Sequence, residues 1–336
     1  MYIVTIASWN HIINTVGENI LNKNFNKSTF VSVVVCTYNR AKYLEKCIES
    51  LKKQTYPHFE IIIVNGPSTD ETSPFLERYP EIKLVNQDEL NGLSFARNLG
   101  IKASNGEIIA LIDDDAVADK DWIKYLVEGY TDESIGGVGG SVFDINGNRC
   151  GFKNGYISKA GIPSLINEKD LNYNDPNGNF FNYITGTNAS FRKSVLHKIG
   201  SFDAYIKYNL DETDVCMRVI LKSGHKIKHV NNAIVFHAIA EGHNRVPPYY
   251  INWIEIIKNI IYFTLKNFPN EFSSYTFRPA KSLLIWSKKG ISLYINNQAS
   301  LKQLFDIHLK LVHGAVRGYT DGLILNTKRL YKGNGK

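Results

Sequence analysis

From Phe30 onward, short apolar runs alternate with stretches whose apolar residues recur at three- and four-residue spacing. VSVVVC (31–36), EIIIV (60–64), IKLV (82–85) and EIIALI (107–112) are nearly continuous apolar runs, as expected of strands buried on both faces. Between them, Leu44, Ile48 and Leu51 predict a helix over Ala41–Lys53. A shorter helix is expected around Phe75–Tyr79, and Ser94–Ala103 reads as a third. Strands alternating with helices of this length predict βαβ units. The class is α/β, with a mostly parallel central sheet flanked by helices in a Rossmann-like manner. Ligands of such sheets bind beyond the carboxyl ends of the strands, which singles out the loops Thr37–Arg40, Asn65–Asp70 and Asp113–Asp115.

The pattern is weaker elsewhere. Residues 1–29 are Asn-rich, and Ile12, Ile13, Val16, Ile20 and Leu21 could line one face of a short helix in an N-terminal appendage. Asn146–Asn182 reads as a long Asn/Gly/Asp-rich loop. Asp211–Lys222 returns to helix, and IKHV (227–230) and AIVFH (233–237) to two strands. Pro247-Pro248 makes a boundary, and Tyr249–Phe268 reads as an apolar helix opening a mainly helical extension. The expected division is therefore 1–29, 30–245 and 246–336.

Charge alters this picture at one end. The 336-residue chain carries +7, but residues 246–336 hold 13 basic and 4 acidic residues, a net of +9, leaving −2 on the rest. A basic quarter suggests an anionic partner or, more plainly, a solvated face. A hydrophobic fraction of 43% excludes a disordered chain. Cys36, Cys47, Cys150 and Cys216 form no C-x-x-C and have no zinc spacing, so they read as reduced cysteines of a cytoplasmic protein. The first residues do not read as a signal peptide, and no window holds 18 apolar residues, so no membrane span is expected.

Four features could do chemistry. Asp113-Asp114-Asp115 follows an apolar strand directly, and three adjacent carboxylates call for a cation, Mg²⁺ or Mn²⁺. The plainer reading is an acidic loop capping the next helix. Asp211 and Glu212 open a helix, where acidic residues are favourable for dipole reasons alone but one carboxylate could serve as a general base. His237 ends a strand, as a ligand or as an ordinary core histidine. Gly186-Thr187-Asn188 is a short polar turn. No G-x-G-x-x-G follows the first strand, and neither a P-loop nor a G-x-S-x-G occurs.

In order, VSVVVCTYNR (31–40), IIIVNGPSTDET (62–72), NGLSFARNLGIKASNGEIIALIDDD (91–115), TGTNASFRKSVLHKIGSFD (185–203) and LDETDVCMRVILKSGHKI (210–227) resemble the family 2 glycosyltransferases, nucleotide-sugar-dependent enzymes of the GT-A fold. The resemblance runs from Phe30 to His237, and GAVRGYTDGL (314–323) is similar to the tails of bacterial rhamnosyltransferase-like enzymes. It implies a nucleotide-binding half over 30–117 and an acceptor and catalytic half over 118–245. Thr37, Tyr38 and Arg40 would line the nucleotide pocket, Asn65 and Gly66 would lie near the base, and Arg97 near the diphosphate. Asp113 and Asp115 end the D-x-D motif, Asp113 towards the ribose and Asp115 on the metal, with Asp114 between them also in the nucleotide-sugar site. Gly186, Thr187 and Asn188 would approach the sugar, and His237 matches a histidine that completes the metal site in some GT-A enzymes. Two departures stand out. Gly66 replaces an Asp that commonly contacts uracil, leaving the Asn65 amide to serve, and Asp211-Glu212 replaces Glu-Asp, with Glu212 at the position of the catalytic carboxylate.

The resemblance thus implies an inverting hexosyl transfer with Mn²⁺ or Mg²⁺, from a UDP- or dTDP-sugar to a saccharide or lipid-linked acceptor in cell-surface glycan synthesis. In this scheme Asp115 and His237 hold the metal at the leaving diphosphate, and Glu212 takes the acceptor proton. A nucleotidyltransferase would need a Gly-rich loop after the first strand, where CTYNRAKY has none. A non-catalytic nucleotide-sugar-binding protein is favoured only by Gly66. The basic tail is expected to make peripheral contact with the inner membrane face or to pack in a homo-oligomer. Its aromatics lie in the apolar helix, which argues against nucleic acid.

Overall fold

The computed structural model describes residues 29–150, 155–164, 172–238 and 252–333. The expected N-terminal helix and the Pro247-Pro248 boundary lie outside these residues. The β-branched run at Val31–Thr37 forms β1, and its alternation sends Val33 and Val35 to one face of the sheet and Val34 to the other. α1 (Ala41–Lys52), β2 (Phe59–Asn65), α2 (Thr72–Leu76), β3 (Lys83–Asn86), α3 (Leu93–Ala103) and β4 (Ile108–Asp113) follow as predicted, within a few residues at their ends. The mixed half of the sheet starts with β5 (Ala116–Ala118), α4 (Trp122–Glu128), β6 (Ile135–Phe143) and β7 (Arg149–Cys150).

Part of the expected long loop is a small sheet of its own. β8 (Gly155–Ser158), β9 (Pro163–Ser164) and β10 (Phe180–Tyr183) pair antiparallel in the order β10-β8-β9. Short strands among Gly, Asn and Asp have no readable period. Their shared feature is the aromatic residues, of which Tyr156 stacks on Tyr173 at 3.4 Å between centroids and Phe181 is fully buried. A 3₁₀ turn at Gly186–Asn188 leads to β11 (Ala189–Arg192), α5 (Lys193–Ile199) and α6 (Asp211–Arg218), which widens into a π turn over Val219–Ser223. The two strands expected near the end of the body are one, β12 (Lys226–His237), with a register shift after His229.

The main sheet has the order β3-β2-β1-β4-β11-β6-β12-β5, with β7 on β6. β3, β2, β1 and β4 are mutually parallel, whereas β11 runs antiparallel between β4 and β6. Register places Thr37 beside Asn65 and Cys36 beside Asp113, so three loops open together at one edge. The antiparallel pairing of β12 with β5 sets His237 opposite Ala116, next to those loops.

Three helices complete the chain: α7 (Trp253–Asn267), α8 (Phe277–Ile295) and α9 (Leu301–Gly333). α7 serves two cores. Ile256, Ile260 and Phe263 join the core under the sheet, while Trp253, Ile257, Ile261 and Leu265 pack on α8 and α9. Gly314, Gly318 and Gly322 form a stripe on α9 where α7 approaches closely. A Cβ at Gly314 would stand 2.5 Å from the Ile254 carbonyl oxygen, and one at Gly318 would stand 2.7 Å from that of Lys258. The GAVRGYTDGL motif therefore has a packing role. Among the described residues, no helix is long and apolar enough to cross a membrane.

Candidate active site

The strand ends converge on three carboxylates and one guanidinium. Asp113 closes β4, and Asp114 and Asp115 turn the chain into β5. Arg40, at the start of α1, places Nη2 2.8 Å from Asp115 Oδ2 and Nη1 3.2 Å from Asp114 Oδ1. Burial pushes the Asp114 carboxyl up to about 7, against the opposing pull of Arg40 and the Thr37 hydroxyl. His237 Nε2 lies 3.0 Å from Asp115 Oδ1 and 3.8 Å from Asp113 Oδ2. One ligand atom each from Asp113, Asp115 and His237 lies within 4.8 Å of the others. Two carboxylates and an imidazole form a donor set that suits Mn²⁺ or Mg²⁺ rather than a thiophilic ion. The fit includes Asp113, which was expected at the ribose.

Arg97 lies on the other side of Asp113. It is buried on α3, donates from Nη1 to Asp211 Oδ2, and lies 3.6 Å from Asp113 Oδ1 and 4.0 Å from Glu212 Oε2. Burial works against its charge, but Asp211, Asp113 and Glu212 outweigh it and raise its pKa. Space for the guanidinium exists because residue 186 is glycine, where a Cβ would stand 2.5 Å from Arg97 Nη2. Asn209 and Leu210 adopt left-handed backbone, φ +63° and +68°, just before α6 begins at Asp211. Asp211 is engaged by Arg97 and buried. Glu212 keeps a fifth of its side chain exposed. Burial, and then the adjacent Asp211 carboxylate, push the Glu212 carboxyl well above the usual range.

A pocket opens beside these groups. Of the expected residues, Thr37, Tyr38, Arg40, Gly66, Asp113, Asp114 and Asp115 line it. The Tyr38 ring covers Gly66, with Cδ2 3.0 Å from where a Cβ would be. Asn65 does not line it. Its amide donates to Ser73 Oγ at 3.0 Å and accepts from Ser68 Oγ at 2.8 Å, which commits it to holding the loop. Asn188 is likewise committed. Its amide donates to the Ser141 and Ala233 carbonyls and accepts from Trp122 Nε1, with no exposure, so it braces the sheet instead of reaching toward a sugar. Thr187 is buried, and among the described residues its hydroxyl has no hydrogen-bond partner.

The pocket is completed by residues that the sequence reading passed over, among them Cys36, Gln87, Leu90, Leu93 and Tyr208. Gln87 follows β3, so the carboxyl-end rule applied to that strand would have found it. Its Oε1 is buried and has no partner among the described residues. Tyr208 lies in an irregular segment and carries no such signal. Burial pushes the Cys36 thiol up to about 12, so it is neutral in the pocket.

The profile of Glycosyl transferase family 2 matches residues 32–200, half of the chain. The chain belongs to this family. It is a glycosyltransferase using a nucleotide-sugar donor. The chain is 29% identical over 230 residues to the glucosyl-dolichyl phosphate glucuronosyltransferase of Haloferax volcanii, covering 63% of this chain and 70% of that protein. To glycosyltransferase GlyG of Streptococcus pneumoniae it is 27% identical over 176 residues, 51% of this chain and about half (49%) of that protein's length. Among solved structures, the mannosyltransferase PcManGT from Pyrobaculum calidifontis, in complex with GDP-Man and Mn²⁺, superposes with a TM-score of 0.56 at 17% identity, covering 92% of this chain and 97% of that one. S. aureus TarS 1–349 in complex with UDP gives 0.56 at 16%, covering 87% and 92%. The family 2 chain thus has the GT-A fold, with a curled, mostly parallel sheet and a helical C-terminal region.

Proposed function

We propose that the protein transfers a hexosyl group, with inversion, from a UDP- or dTDP-sugar to a saccharide or lipid-linked acceptor. Asp113, Asp115 and His237 would hold Mn²⁺ or Mg²⁺, which when bound supplies charge for the leaving diphosphate. The observation that carries this reading is the position of Arg97, between Asp113 of the cation cluster and the Asp211–Glu212 pair. A donor diphosphate at the cluster and an acceptor hydroxyl at Glu212 would then meet across one guanidinium.

In this scheme Glu212 is the base. Asp211 is fixed on Arg97, whereas Glu212 is more accessible, and its raised pKa makes its carboxylate, once deprotonated, the stronger proton acceptor of the two. Asp211 orients Arg97, and Tyr38, Gly66 and Gln87 bound the nucleotide side of the pocket. The named relatives support a nucleotide-sugar donor and a lipid-linked or saccharide acceptor, without fixing the base. One carries a dolichyl phosphate in its name, and solved neighbours hold GDP-Man with Mn²⁺ or UDP. The tail's likeness to rhamnosyltransferase-like enzymes places dTDP-rhamnose among the donors to try.

The test is release of nucleoside diphosphate from a panel of UDP-, dTDP- and GDP-sugars with Mn²⁺, Mg²⁺ or chelator. Cation-dependent release from a UDP- or dTDP-sugar is expected, with Glu212→Gln binding donor but not transferring. Chelator-resistant turnover, or transfer by Glu212→Gln at the parent rate, would overturn the assignment.

A further inference from the structure

The C-terminal helices hold many apolar side chains in solvent, and the active site does not account for them. On α9, Leu301, Phe305, Leu309, Val312, Val316 and Leu323 are each 47–67% exposed. Their spacing keeps them on one stripe of the helix, about 33 Å long at 1.5 Å per residue. On α8, Phe277, Leu284, Ile291 and Ile295 are 41–71% exposed. Lys281 and Lys288 are exposed among them, on the same turn-by-turn stripe.

The two stripes belong to one surface. α8 and α9 are joined by residues 296–300 and run antiparallel, because Ser287 Oγ meets His308 Nε2 at 2.7 Å while Gly290 lies against Ile307. Their inner sides pack on α7, through the Trp253–Trp286 ring contact and through Leu293, Ile307 and Leu311. Helical periodicity therefore turns both apolar stripes to the outer side, flanking the seam.

The exposed charge on this surface is mostly positive, with Asp306 of α9 exposed as well and paired with Lys310 at 2.6 Å. α8 contains Arg278, Lys281, Lys288 and Lys289 and no acidic residue. Lys281 and Lys288 have no ion-pair partner among the described residues, and Lys302, Arg317 and Lys328 of α9 are exposed as well.

We propose that the outer face of α8 and α9 is a docking surface for an anionic lipid bilayer, with both helices lying in the interface plane. The apolar stripes would enter the headgroup boundary, and the interleaved lysines would meet anionic headgroups. A second copy of the chain is the less suitable occupant. A two-fold contact would set this face against itself, with Lys281 and Lys288 meeting like charges, no carboxylate on α8 to pair them, and Asp306 of α9 already paired with Lys310. The surface is also linked to the active site. Tyr205 donates to Asp321 of α9, Lys258 of α7 lies 4.6 Å above the Tyr205 ring, and the same loop runs on to Tyr208 in the donor pocket. Docking does not depend on which donor or acceptor the enzyme uses.

The test is co-sedimentation of the full chain with vesicles of phosphatidylcholine alone or mixed with phosphatidylglycerol. Binding to the mixed vesicles at low salt is expected, reduced about tenfold or more by Lys281→Glu/Lys288→Glu and by Phe305→Ser/Val312→Ser. Sugar-nucleotide turnover in solution should be unchanged in both variants, which separates this surface from the catalytic assignment. Absence of sedimentation with anionic vesicles would overturn the proposal, as would variants that bind like the parent. So would a dimer in sedimentation velocity that the Phe305→Ser/Val312→Ser variant dissolves.

Discussion

Arg97 and Asp211, 114 positions apart in sequence, form a buried ion pair that joins α3 to the first residue of α6. Through it α3, packed against β1 and β2, sets the position of the Asp211–Glu212 pair. The space for the guanidinium comes from Gly186, so Gly186→Ala should displace Arg97 without removing any charge. We expect transfer to fall by about tenfold or more, since misplacing a catalytic constellation by an ångström is costly. The check is a kcat measurement beside a thermal melt. A fully active Gly186→Ala enzyme would show that Arg97 need not occupy its observed position.

Glu212 should impose a pH dependence on both activity and stability. Its folded-state carboxyl is raised by burial and by Asp211. Between the ordinary carboxylate value and that raised value, the folded state binds more protons than the unfolded one, so stability falls as pH rises through this window. Activity is expected to move the opposite way, because Glu212, as the proposed base, must be deprotonated. Glu212→Gln should therefore be inactive and gain melting temperature over the parent at neutral pH but not near pH 4. Equal melting differences at both pH values would contradict the burial argument.

The parallel half of the fold was legible because β1, β2 and β4 are largely buried on both faces and are therefore mostly apolar. The D-x-D turn was legible for the same reason, since carboxylates after such a strand stand out. Pairings between distant segments were not. Nothing in the order of residues tells that Asn65 and Asn188 spend their amides on neighbouring loops and carbonyls, or that Gly186 makes room for Arg97. The small sheet was hidden because strands of two to four residues are too short to show a period. The two-sided burial of α7 was visible only as an apolar excess, and a boundary drawn at 245/246 separates that helix from half of its packing.

Asp214 should be a stability residue. It sits fully buried on α6 between Arg218 at 2.7 Å and Lys266 of α7 at 2.8 Å, with Asn267 donating to it at 3.0 Å. Although burial opposes the charge, these partners hold its carboxyl far below the usual range. This contribution is present above the unfolded-state value and is lost as pH falls below it. Asp214→Ala leaves the buried Arg218 without its carboxylate and Lys266 with Asp203 as its remaining carboxylate partner, and should cost about 3–5 kcal/mol in urea unfolding at neutral pH, with a smaller gap in acid.

Restoring the usual carboxylate at position 66 should not restore uridine recognition. Tyr38 Cδ2 and Cβ lie 3.0 and 3.1 Å from the place of a Cβ on Gly66, so an Asp there must push the ring aside. Gly66→Asp is expected to weaken nucleoside diphosphate binding in calorimetry, and Gly66→Asp with Tyr38→Ala to recover part of it. Gln87→Ala should also weaken binding, because its amide borders the pocket with Oε1 unpartnered. Tighter UDP binding by the single Gly66→Asp variant would show that the Tyr38 ring yields freely.

The cation cluster can be tested without turnover. Asp115 shares its carboxylate between Arg40 and His237, and Asp113 lies within reach of the same imidazole. If these three side chains take a divalent ion together with donor phosphates, nucleoside diphosphate affinity must rise with Mn²⁺ and fall back with chelator. Asp115→Asn should remove most of that increment, because it halves the anionic charge of the two-carboxylate set. His237→Ala should remove less, since it deletes one neutral ligand and leaves both carboxylates. Arg40 gives the control. Its guanidinium offsets Asp114 and Asp115 in the absence of an ion, so Arg40→Ala should leave the Mn²⁺ increment in place while lowering stability. The discriminating result is the order of the three variants in calorimetry with and without Mn²⁺. An Mn²⁺ increment that survives Asp115→Asn but vanishes in Arg40→Ala would mean that the guanidinium, and not this cluster, organises the phosphate site.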